Sequence, residues 1–228
     1  MGLTAGQRRT LSRKAAENSL EVEHLLKVAA IGDAADAPFL HALKCEHAWS
    51  DTGRVGRSLV VPLGRWADTV CRFLEDGYAG LVAMAGEIAG ASEFAIGLIE
   101  EIRTPESVSA VLAIGRAVIE QPAIDVHLAV RMADAFNLLL SFNGAPTVAP
   151  SVEHEIREFL HRLLDIELLE VQRASVVCAL RGVGDATSAD LVASLPPFRG
   201  NWAGLEASAA RKIKRRVAVQ PSNRSAHR

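Results

Sequence analysis

The sequence predicts an all-α fold of stacked helix pairs, on three observations. Alanine is conspicuous and aromatics make up only 5% of 228 residues, which suits close-packed helices and leaves a β-sandwich short of Val, Thr and Tyr. Apolar residues recur at helical spacing through most of the chain, and no stretch reads convincingly as a strand. Finally, Gly-Asp pairs close two apolar helices and are followed by apolar residues at the same offsets. Gly32-Asp33 leads to Phe39, Leu40 and Leu43, and Gly184-Asp185 leads to Leu191, Val192 and Leu195. Such a helix pair buries the face of its second member only by stacking on neighbours. Ser92 leads to Leu98, Ile99 and Ile102 at these offsets too, with Gly90 one place early.

In chain order, residues 1–19 form a polar N-terminal segment, frayed or a loosely attached helix. Helical pattern is firm from Leu20 to Ile31. Cys45 to Pro62 has no helical period and reads as a long loop between repeats. Trp66, Val70, Phe73 and Leu74 mark the next helix; Gly77 ends it, and Tyr78 starts another. Thr104-Pro105-Glu106 is a start signal, with a cap residue, proline at the first helical position and an acid near the positive helix end. Val108, Val111, Leu112, Val118 and Ile119 form the stripe behind it. A helix from about Ile124 to Phe142 carries Leu128, Met132, Phe136 and Leu139 in register. Ser151 is read as the cap of the next, whose stripe is Ile156, Phe159, Leu160, Leu163 and Leu164.

From Leu168 to Arg216 the chain reads helix, Gly-Asp turn, short helix, Pro-Pro break and basic closing helix. Leu168, Val171, Ser175 and Cys178 share one face and Leu169, Val176 and Leu180 a neighbouring one, so this helix is expected to pack on two sides. Gly182 and Gly184 are read as freeing the helix end, and Asp185 as capping the short helix beyond it. With Arg173-Ala174, Ala179-Leu180, Gly184-Asp185 and the closing Leu191 to Leu195, the stretch resembles a HEAT-like repeat of the phycobilin-lyase type. The resemblance implies a right-handed α-solenoid; its domain is expected to span residues 20–218, with a disordered tail at 219–228. A globular all-α bundle using the same stripes is the alternative.

Lys and Arg number 25 against 27 Asp and Glu, so no global field selects nucleic acid or an acidic membrane. The distribution is uneven: residues 211–228 hold seven basic residues and no acid, which leaves 18 basic against 27 acidic elsewhere. Cys45, Cys71 and Cys178 are scattered, which argues for a reducing compartment. With no signal-peptide pattern and no long apolar run, a cytoplasmic protein is expected, without a membrane partner.

No catalytic set, cofactor or metal site is expected. His154, Glu158 and His161 lack the full zinc-helix motif and are read as a charged face. His41, Cys45 and His47 lack a second ligand pair. The run from Gly53 to Ser58 has neither the spacing nor the lysine of a phosphate-binding loop. Trp49, Arg54, Arg57 and Arg65, with Trp66 nearby, are the residue types enriched at interface hot spots, and most lie in the aperiodic stretch. Trp66 also fits the core. His127, Arg131 and Asp134 share a helix face that would line the groove of a solenoid. On the closing helix, Trp202, Leu205, Ala209, Ile213 and Val217 make a stripe, and Arg211, Lys212, Lys214, Arg215 and Arg216 cover the other faces. Short proteins similar to HEAT-like repeats serve as adaptors, scaffolds or immunity proteins that block a toxin. The resemblance therefore implies a non-enzymatic role toward another protein, a basic one given the acidic body. The alternative is nucleic-acid binding or DNA repair through the basic closing helix. A bilin-lyase reading rests on the family name alone.

Overall fold

The computed structural model describes residues 2–49, 54–56, 59–88, 90–120, 123–141 and 147–224; the side chains of 54–56, 59–61, 117–120 and 220–224 are not described. It is helical apart from one small hairpin. The helices are α1 (Ala5–Ala16), α2 (Val22–Ile31), α3 (Ala37–Glu46), α4 (Leu63–Glu87), α5 (Ala91–Ile102), α6 (Ser107–Glu120), α7 (Val126–Leu140), α8 (Pro150–Leu164), α9 (Glu170–Val183), α10 (Ala186–Ser194) and α11 (Leu205–Arg224). Two compact units result, Met1–Ile114 and Gly115–Arg228.

In the first unit, α4 packs against α2, α3 and α5. Gly77 kinks it at φ 61°, ψ −145°, a region open only to glycine, so two helical segments meet where the sequence predicts a helix end. Leu25, Leu40, Val70, Leu81, Ile96 and Ile99 form the core. The N-terminal segment is a helix bound to this core. Thr4 and Gln7 make a capping box, with Gln7 N–H donating to Thr4 Oγ1 at 3.3 Å and Thr4 N–H to Gln7 Oε1 at 2.8 Å. Leu3, Leu11 and Ala15 are buried beneath it. The stretch expected to be a plain loop contains an antiparallel pair, β1 (Arg54–Gly56) and β2 (Leu59–Val61), with Val55 opposite Val60.

In the second unit, α9 packs against α7, α8 and α11, as the wide stripe predicts. Its buried residues are Ala174, Val176, Val177, Ala179, Leu180 and Val183. Leu169 and Val171, read as part of the stripe, are exposed, because α9 begins at Glu170 and both sit at its open first turn. Trp202 leaves its stripe as well: it ends a short 3-10 turn and is 41% exposed, while Phe198 takes the buried place, with Arg173 stacked 4.5 Å from its ring. α8 opens on Pro150 with Ala149 at the cap, two residues before the expected cap Ser151, since proline has no N–H to lose at the first position. α11 continues to Arg224, past the start of the tail expected at residue 219.

The Gly-Asp corners are where sequence and geometry agree most closely. Gly32 N–H donates to the Val28 carbonyl at 2.7 Å, and Gly184 N–H to that of Leu180 at 2.7 Å. Neither glycine has a positive φ; they are there for space, since a Cβ would stand 2.7 Å from the Val28 oxygen or 2.6 Å from that of Leu180. Asp33 and Asp185 then cap the next helical segment, and each aspartate's own N–H is held by the side chain three residues on: Asp36 Oδ2 at 3.1 Å and Ser188 Oγ at 3.1 Å. Thr104 shares one bond of this pattern, its N–H donating to Ser107 Oγ at 3.0 Å beside the Tyr78 hydroxyl, but there Arg103 ends α5 in the left-handed region and neither glycine nor aspartate is present. The third match expected at Ser92 is not a corner. Gly90 caps α5 in the left-handed region, and Ser92 lies inside the first turn, donating to the Ala85 carbonyl.

Candidate functional site

The first unit carries 11 Lys and Arg against 15 Asp and Glu, the second 14 against 12, so the acidic character is concentrated in the first. Two concavities lie in that acidic unit.

The larger is a groove of about 410 Å³ between α1 and α2. Leu3, Leu11 and Val28 floor it, each buried, and Ile31, 44% exposed, forms an apolar wall. Gln7, Thr10, His24 and Lys27 line its polar side. α1 buries few apolar side chains, Leu11 and Ala15 among them, and Ile31 at the end of α2 stays exposed beside it. Lys27 is engaged by Glu23 at 2.7 Å, and His24 Nδ1 accepts the Glu21 N–H at 3.0 Å, which fixes both at the rim. None of these residues was singled out from the sequence. The Thr4 to Gln7 capping box was legible there and would have turned the polar segment into a helix.

The smaller, of about 150 Å³, is lined by Arg65, Asp68, Thr69, Met84, Ile88, Ala91 and Phe94. Trp66 meets Phe94 edge-on at 5.6 Å, and the Arg65 guanidinium lies 5.9 Å from the same ring. Asp68 is held by Lys44 at 2.6 Å, and Thr69 Oγ1 donates to the Arg65 carbonyl. The structure thus brings Arg65 and Trp66 together with a residue, Phe94, that helical spacing alone could not supply. Trp49 is half-buried just past α3, its N–H on the Lys44 carbonyl, and lines neither concavity. Arg54 contributes backbone to β1, and Arg57 lies outside the described residues.

His127, Arg131 and Asp134 belong to α7 in the second unit; His127 is exposed and the other two half-buried. The basic set on α11 is divided by its neighbours. Arg216 pairs with Glu153 and donates to the Gly184 carbonyl, Lys214 faces Asp190 at 3.3 Å, and Lys212 donates to the Ser141 carbonyl at 2.9 Å. Arg211 and Arg215 are exposed. His154 and Glu158 are exposed, whereas His161 turns inward to Ser188 at 2.8 Å. Cys45 Sγ lies 3.8 Å from His41 Nε2 one turn away. Among the described residues no three His, Cys, Asp or Glu side chains gather as a metal-ligand set, and no helix is long and apolar enough to cross a membrane. Compared with known protein families, curated proteins and solved structures, the chain gives no match in any of the three.

Proposed function

We propose that the chain is a non-catalytic, protein-binding protein of HEAT-like helix pairs, whose acidic first unit receives a partner's apolar side chains in the α1–α2 groove. The groove carries this reading. It offers an apolar floor with fixed polar groups along one rim, the arrangement that lets a partner's helix or loop seat anchors while its polar edge stays wet. The net charge of the first unit favours a basic partner by speeding encounter. Two corners of one geometry, at Asp33 and Asp185, support the repeat. A cytoplasmic adaptor or immunity protein fits this description. Arg65, Trp66 and the cavity beside Phe94 form a second contact region for the same partner.

Affinity capture from native cells, followed by titration of the purified partner, tests the reading. Ile31→Asp and Thr10→Lys place charge in the groove at exposed positions, so folding is retained. Each is expected to weaken binding by about tenfold or more, the scale of a lost hot-spot contact. Unchanged binding in both variants would exclude the groove. A gel-shift signal that falls steeply with salt and disappears when Arg211 and Arg215 are neutralised would instead favour the nucleic-acid alternative.

A further inference from the structure

In the second unit four cations meet an acid in well-defined pairs. Arg116 faces Glu155, Arg157 faces Asp185, Lys214 faces Asp190 and Arg216 faces Glu153. Arg181 and Lys212 converge without an acidic partner among the described residues.

Gly182 makes the convergence possible. A Cβ there would stand 2.8 Å from the Leu140 carbonyl oxygen, so glycine lets the last turn of α7 lie directly against α9. That approach sets Ser141 beside Cys178, whose carbonyl accepts from Ser141 Oγ at 3.2 Å. Lys212 reaches in from α11 and donates to the Ser141 carbonyl at 2.9 Å. Arg181 lies three residues beyond Cys178 on α9, its Nη1 3.7 Å from the thiol sulfur. The Nε of Arg181 is buried and makes no hydrogen bond.

Two full positive charges thus approach the end of α7, whose last carbonyls carry roughly half a negative elementary charge. Burial and then the Arg181 charge pull the pKa of Lys212 below its ordinary value, as befits a cation short of a counter-charge. Arg211 and Arg215, exposed on the same helix, extend the positive field. We propose that Arg181 and Lys212 form a phosphate-binding site on the second unit, one that takes inorganic phosphate or the phosphate group of a phosphomonoester. The guanidinium supplies planar N–H donors, and the ammonium supplies the hydrogens that Ser141 leaves unused. A dianion there offsets a surplus that one monovalent charge would not. The proposal is independent of the protein-binding reading, which concerns the first unit.

The test is thermal unfolding of the full chain as inorganic phosphate is raised, with chloride holding ionic strength constant. Tm is expected to rise and follow a single-site binding curve. Arg181→Gln and Lys212→Gln should each weaken the apparent affinity by about tenfold or more, the loss of a charge-assisted hydrogen bond. Lys212 is exposed on α11, so Lys212→Gln carries the test should Arg181→Gln fail to fold. Phosphoserine and a nucleoside monophosphate, run in parallel, identify the carrier, and tighter binding of either supports the site. No rise with phosphate, an equal rise with chloride, or an undiminished response in Lys212→Gln would overturn it. If Lys212 only caps α7, its replacement lowers Tm without phosphate and leaves the phosphate response intact, which also counts against the site.

Discussion

The corner at Gly32-Asp33 and the corner at Gly184-Asp185 share a backbone and differ in what they bury. In both, a glycine closes one helix, an aspartate caps the next segment, and a fully buried side chain three residues later holds the aspartate's N–H. In the first unit that buried group is a carboxylate. Asp36 also accepts the Leu3 N–H at 2.8 Å and Arg8 Nε at 3.1 Å, so it ties α1 to the corner. In the second unit it is the Ser188 hydroxyl, which meets His161, while the charge has moved to the rim, where Asp185 pairs with Arg157 at 3.2 Å. The backbone of a corner thus obeys a local rule, and the polarity of its centre depends on what the preceding helix delivers. α1 brings one cation to an inward carboxylate; α8 brings Arg157 to an outward one.

That contrast predicts unequal costs. Asp36→Ala leaves two N–H groups without their acceptor and the part-exposed Arg8 without its counter-charge, and should cost about 2–5 kcal/mol in chemical denaturation, the scale of two unmet N–H groups. A cost no greater than that of Ser188→Ala would break the comparison. Gly32→Ala and Gly184→Ala should cost similar amounts, about 1–3 kcal/mol each, because each new Cβ meets a carbonyl at nearly the same distance. A large difference between them would mean that the two backbones are not equivalent. Ser188→Ala should cost about 1–2 kcal/mol, the scale of an unmet buried N–H.

Acid should separate the corners further. Burial pushes the Asp36 carboxyl up, but the Leu3 and Asp33 N–H groups and Arg8 outweigh it and hold the pKa below the ordinary 3.8. Burial likewise opposes the Ser188 N–H, Arg157 and the Ser188 side chain at Asp185, and the pKa again lies below 3.8. A pKa lower in the folded state stabilises the fold above the unfolded value, and the gain disappears as pH falls through the folded one. Stability measured by denaturation should therefore be flat above about pH 5 and decline below about pH 4, where the ordinary aspartate titrates. Asp36→Asn should flatten a large part of that decline, whereas Ser188→Ala, which removes only the side-chain bond to Asp185, should flatten it less.

The smallest effect is a labelling rate. The Cys71 thiol donates to the Ala37 carbonyl at the start of α3, and burial, with Asp68 and Glu75 adding to it, pushes its pKa up to about 12. Cys45 is exposed. A thiol reagent should modify Cys45 in the native protein and reach Cys71 only when the first unit opens, faster in Asp36→Ala than in Ser188→Ala. Equal rates in the two variants would detach Cys71 from the first corner.

The corners were readable because their chemistry is local. A glycine meets the carbonyl four residues back, an aspartate caps within one turn, and apolar offsets of six, seven and ten residues survive any tertiary arrangement. The same locality explains the Gly77 break and the buried Met132, Phe136 and Leu139. It also explains the misreadings. Periodicity cannot say where a helix stops being covered, so it assigns Leu169, Val171 and Trp202 to stripes although all three are exposed. Composition made residues 1–19 look detached, because Leu3, Leu11 and Ala15 are few; a carboxylate more than thirty residues from Leu3 is what secures them.

Local chemistry along the chain was enough to make it helical, to place most of its turns and to choose the residues that cap them, since each of those choices is made within a few residues. Packing between distant segments set the rest: that Gly182 serves close approach, that three of the five cations between Arg211 and Arg216 are engaged by neighbours, and that Arg181 and Lys212 approach the end of α7. Those outcomes depend on groups 24 to 71 residues apart in the chain. No periodicity encodes such distances; they are set when helices with matching apolar faces pack and carry their charges with them.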